Sequence, residues 1–199
     1  MSKSKKSTIK TICFMIVFAV IVIVIYWYVS TRTTPLFSKP DGPTTEIEKL
    51  LNKDIPGNYP STPREVIKLY CRITKVLYSE ELEDEQIEKL SEQLSSLYDD
   101  ELIANKTKEE YLLDLKVDIS SYRKSKRNIM QYVIENSDRV VYWDKEDRNY
   151  ASLVASFTTK ESNTYTKIFE EFILRKDSAG KWKILGWKLS DKTEIIGGE

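Results

Sequence analysis

The stretch NYASLVASFTTKESNTYTKIFEEFILRK, residues 149–176, decides the fold. Ala151, Leu153, Ala155 and Phe157 alternate with Tyr150, Ser152, Val154 and Ser156; farther on, Ile168, Phe172 and Leu174 share one side of a second alternation. A period of two among β-branched and aromatic residues is the pattern of strands with one more apolar face. The spacing predicts strands over 149–160 and 164–176. A short polar loop joins them, so they run antiparallel.

Working outward, the same reading predicts strands over 129–136, 139–144 and 181–190, with polar loops at 144–148 and 177–180, so that residues 128–190 form a β-meander. Before Asn128 the apolar period becomes 3.6. Val66, Leu69, Tyr70, Ile73, Val76 and Leu77 mark a helix over 63–78, widened on one side by Ile67 and Cys71. Ile87, Leu90, Leu94 and Leu97 mark another over 84–98, and Tyr111, Leu115, Ile119 and Tyr122 a third over 108–126. Leu113 and Val117 lie off that last stripe, which predicts a helix covered on two sides. Three capping boxes set helix starts: Thr45 with Glu48, Thr62 with Glu65 and Thr107 with Glu110. Helices followed by an antiparallel sheet define an α+β domain over 44–199, with its helical part, 44–127, packed on the apolar face of the sheet.

Ahead of this domain, residues 30–43 carry three prolines and a glycine and read as a tether. Residues 11–29 are uncharged and mostly Ile, Val and Phe, long enough as a helix to cross a bilayer core. Tyr26, Trp27 and Tyr28 suit the headgroup layer at one end, and Lys3, Lys5, Lys6 and Lys10 hold a basic tail, residues 1–10, in the cytoplasm. The domain is then extracytoplasmic. A cleaved secretory signal is the competing reading, but the apolar run is long for one and lacks a small-residue cleavage site.

The 199 residues hold 31 basic and 31 acidic side chains, so with the tail's four lysines set aside the rest of the chain is mildly acidic. The sequence has no histidine, which closes Ser-His-Asp triads, Cys-His dyads and imidazole metal sites. Its six glycines make no phosphate-cradling loop. Cys13 and Cys71 would lie on opposite sides of the membrane and form no bridge. No catalytic, cofactor-binding or metal-ligating set is therefore expected.

The hairpin Asp177-Ser-Ala-Gly180-Lys-Trp182-Lys-Ile184, followed by Trp187, resembles the closing hairpin of NTF2-like (cystatin-like) domains, in which a wrapped sheet and its helices form a cone. With the single N-terminal span and the helix start Tyr59-Pro60-Ser-Thr-Pro63-Arg-Glu65, the whole chain is similar to uncharacterised single-span bacterial membrane proteins. The resemblance implies a scaffold or ligand-binding cone and carries little about function.

Two groups of residues are candidates for recognition. Glu170 shares its face with Ile168, Phe172 and Leu174, which places a carboxylate on the apolar side, as a general base or ligand partner; a bulge or edge position would instead let it reach water. Tyr132, Phe157, Phe172 and Trp187 would line the cone with it, or fill the core. Arg123, Lys124, Lys126 and Arg127 form a basic cluster suited to anions, or to the C-terminal dipole of the helix that carries them. These features favour a membrane-anchored binding or scaffold domain with a protein or cell-envelope partner and no nucleic acid. The alternative is a small-molecule binder or carboxylate-dependent enzyme built on Glu170.

Overall fold

Three threonine–glutamate boxes open three of the helices in the computed structural model, which describes residues 45–198. The expected tail, membrane span and tether lie outside these residues, and among the described residues no helix is long and apolar enough to cross a membrane. The helices are α1 (Glu46–Leu51), α2 (Pro63–Ser79), α3 (Asp84–Leu97), α4 (Asp100–Ile103) and α5 (Lys108–Lys124). In the box that starts α2, Glu65 also accepts from the Ser61 hydroxyl at 2.9 Å, and these bonds hold its carboxyl below the usual range. α5 stops short of the expected Lys126 because that residue adopts φ +52°, a left-handed conformation that ends a helix.

The strands are β1 (Arg127–Glu135), β2 (Val141–Lys145), β3 (Arg148–Glu161), β4 (Thr164–Lys176), β5 (Trp182–Leu189) and β6 (Gly197–Gly198), paired antiparallel in the order β5-β4-β3-β1-β6. β3, β4 and β5 form the expected meander, but β1 and β2 do not pair with each other as a meander over 128–190 requires. β3 is 14 residues long and takes both on one flank, β1 against its second half and β2 against Arg148–Ser152. The chain between them makes a 3-10 turn over Ser137–Arg139 rather than a reversal. β2 and β3 meet at Glu146 and Asp147, both at positive φ, as a two-residue hairpin turn demands.

The register puts Ala151, Leu153, Ala155 and Phe157 beside Leu174, Phe172, Glu170 and Ile168. α2 covers this face and is tied to β1 at both ends. At its start the Arg64 guanidinium donates to the Glu135 carbonyl at 2.9 Å; at its end the Ser79 hydroxyl donates to the Ile129 carbonyl at 2.7 Å and accepts from the Ile129 amide at 3.0 Å. Ile67, Ile73 and Leu77 are fully buried, as are Leu153, Phe172 and Ile184 across from them, at roughly 1.5–3 kcal/mol each for burial.

The opposite face of β3 is buried too, at Ser152, Val154 and Ser156. After β5 the chain returns to the far edge of the sheet. Lys192 pairs with the buried Glu135 carboxylate, which also accepts from the Val154 amide at 2.8 Å, and Gly197 and Gly198 pair with β1. A Cβ on Gly197 would stand 1.7 Å from the Ile134 carbonyl oxygen, so only glycine fits there.

Candidate functional site

A cavity of about 530 Å³ lies between α2, α3, α5 and the edge of β5. It exists because α5 is held against the domain by few residues: Leu115 and Ile119 are buried, while Leu113 and Val117 are 63% and 60% exposed. The expectation that α5 is covered on two sides is thus corrected. Its outer apolar pair meets solvent. The link from α3 to α5 is firmer, because the Asp99 amide donates to the Ile184 carbonyl at 2.8 Å, and the buried Asp99 carboxylate accepts from Nε of the part-buried Arg175 at 3.0 Å.

Rings make the walls. Tyr70 and Tyr78 come from α2, one helical turn to either side of Thr74; Tyr98 follows α3, Tyr111 lies on α5 and Trp187 on β5. The Trp187 ring lies 5.9 Å from that of Tyr70 and 6.1 Å from that of Tyr98, and the Tyr98 ring meets Tyr111 edge-on at 6.0 Å. The Tyr98 and Tyr111 hydroxyls are hydrogen-bonded at 3.2 Å. Burial pushes all four phenols up, so each stays protonated at neutral pH; the Glu170 charge adds to this at Tyr70 and the Asp118 charge at Tyr78. At the rim Lys106 pairs with Asp114 at 2.5 Å, and Lys108 pairs with Glu92 at 2.6 Å.

Of the residues singled out in the sequence for a pocket, only Trp187 lines this cavity. Tyr132, Phe157 and Phe172 are buried in the core. Glu170 keeps the face expected of it, since β4 runs against β3 without a bulge, and Ala155 and Leu189 flank it. It is half-buried and does not line the cavity, its charge reaches Tyr70 and Cys71, and no hydrogen bond or ion pair reaches it among the described residues. Burial raises its pKa.

Two members of the basic cluster are engaged within the domain. Arg123 donates to the Glu80 carbonyl at 3.2 Å, and Arg127 pairs with Glu161 at 2.5 Å and lies over the Tyr122 ring, leaving Lys124 and Lys126 outside those contacts. Cys71 is a buried free thiol that burial pushes up, which suits packing and not nucleophilic attack. Among the described residues no group of acids and cysteines is placed to hold a metal ion.

The four tyrosines were not recognised from sequence because Tyr70 and Tyr111 sit on apolar stripes and read as core. The signal was available in α2: Tyr70, Thr74 and Tyr78 recur every four residues, a row of polar-tipped side chains where a helix facing only core would carry leucine.

Fold and site thus define an α+β domain with helices on one face of an antiparallel sheet and a tyrosine-walled cavity at its edge. The chain belongs to a family described as a domain of unknown function (DUF6715), whose profile matches residues 1–187. No curated protein matches it.

Proposed function

We propose that this protein is a non-enzymatic, membrane-anchored binding domain of NTF2-like type on the outer face of a bacterial cytoplasmic membrane, taking a small organic ligand into the cavity beside α5. The observation that carries this is the cavity itself. Its volume falls in the range of small-ligand sites, and its lining joins apolar rings to a few polar tips, which is the usual make-up of such sites. Against catalysis stand the buried phenols and thiol, which burial and the Glu170 charge beside Tyr70 and Cys71 hold protonated. The anchor rests on the apolar run 11–29 and the four lysines before it.

Native mass spectrometry of the full chain, extracted with its own membranes, tests the reading. A retained small molecule that is lost on Tyr98→Ala or Trp187→Ala is the expected result. A bare chain from every preparation, with no change in hydrogen exchange of α5 on adding membrane extract, would sink it.

A second reading, docking of a protein or cell-envelope partner, is favoured by the hairpin of β2 and β3. Val141 and Tyr142 are 59% and 57% exposed on a strand that, among the described residues, pairs along one edge, and Trp143 stacks on Tyr150 at 5.6 Å. Crosslinking in intact membranes that maps to this hairpin supports that reading.

A further inference from the structure

We propose that the cavity selects an organic cation, an amine or quaternary ammonium group carried on a small apolar body; this rests on the ligand-binding reading above. The argument begins with the walls. The face of an aromatic ring is the negative part of its quadrupole, and cations are drawn to it most strongly where water is thin. Four phenol rings and one indole surround this space. Burial keeps the phenols neutral, so they act as ring faces and hydroxyl dipoles and not as fixed anions.

The charges around the cavity then decide the sign. Lys106, Lys108, Asp114 and Asp118 are the ionised side chains of its lining. Both lysines are engaged, Lys106 by Asp114 and Lys108 by Glu92. Asp118 makes no hydrogen bond or ion pair among the described residues and stands close enough to Tyr78 to act on its titration. Glu170, which does not line the cavity, adds a second negative field at Tyr70. Once Lys106 is set against Asp114 and Lys108 against Glu92, the ionised side chain left over in the lining is Asp118, a carboxylate whose field also reaches Lys106. A neutral guest would leave it so. An anionic guest would face it and would have to draw Lys106 away from Asp114. A cation satisfies it in place, with its alkyl or aryl body against Leu94, Leu102 and Leu115.

The test uses the full chain in detergent and follows tryptophan fluorescence, since Trp187 lines the cavity. Phenyltrimethylammonium is compared with its neutral carbon isostere tert-butylbenzene and with benzoate. The cation is expected to bind about tenfold or more tightly than the isostere, and to weaken severalfold between about 50 mM and about 500 mM salt while the isostere does not. Asp118→Asn, an exposed substitution that leaves the fold intact, should reduce the cation's advantage about threefold or more and leave the isostere unchanged. Equal binding of cation and isostere, preference for benzoate, or an Asp118→Asn effect shared by all three probes overturns the cation preference while the ligand-binding reading stands. Failure of every probe overturns the preference as well. The ligand-binding reading then falls only if native mass spectrometry also finds the chain bare.

Discussion

α2 and α5 are each 17 residues long, and each opens with a threonine–glutamate capping box. α2 buries nine residues, α5 only Leu115 and Ile119. Local sequence therefore sets where a helix begins, while the number of apolar positions with something to pack against sets how firmly it is held. α2 is bonded to β1 through Arg64 and Ser79 and fills the sheet's inner face. α5 stands off behind a layer of tyrosines and forms the outer wall of the cavity. The part of the molecule suited to recognition is the part that contributes least to the core, as is common where a site must open.

The contrast is broken most forcefully at Ile73. Ile73→Ala removes a fully buried side chain between α2 and the sheet and is expected to cost about 2–5 kcal/mol by urea unfolding. Smaller, and more telling, is the pair Thr62→Ala and Thr107→Ala. Both remove the same cap, worth about 1 kcal/mol. On α2 the loss should appear in global unfolding; on α5 it should appear mainly as faster hydrogen exchange of the first turns. Equal loss of global stability from both would show that α5 belongs to the same cooperative unit as α2.

Glu170 sharpens the comparison in another way, because it lies on the inner face where α2's cover gives out. Its pKa is raised by burial, so its contribution to stability is present below the ordinary carboxylate value and is lost as pH rises through the folded value. Glu170→Gln is therefore expected to raise the melting temperature at neutral pH, with the gain shrinking as the pH falls to about 4. A gain that is the same at every pH would mean that charge burial is not its source.

Much of this arrangement is legible in the sequence, and the failures share a cause. The three capping boxes and the alternation in β3 and β4 are local patterns, and they predict their elements to within a residue or two. Pairing partners are not local. Nothing near Val141 says that it lies against Ser152 while Ile134 lies against Ala155, so β1 and β2 looked like a hairpin. The site was missed for a related reason: a tyrosine on an apolar stripe reads as core whether its ring meets leucine or empty space. Glu170 was the reverse case, since a charge on an apolar face is visible in the alternation itself, although it does not line the cavity.

Leu113 and Val117 give the smallest expected effect and the sharpest question about α5. They lie four residues apart, on one face of the helix, both more than half exposed. If that face meets only water, Leu113→Ser and Val117→Ser change stability by no more than about 0.5 kcal/mol each, a size set by helix propensity alone. Their removal should also leave hydrogen exchange of α5 unaltered. A loss above about 1 kcal/mol for either, in the full chain, would mean that a second surface covers α5 there, as the sequence pattern first suggested. The wall of the cavity would then be held from outside as well as from within, and opening it to a ligand would require that outer contact to yield.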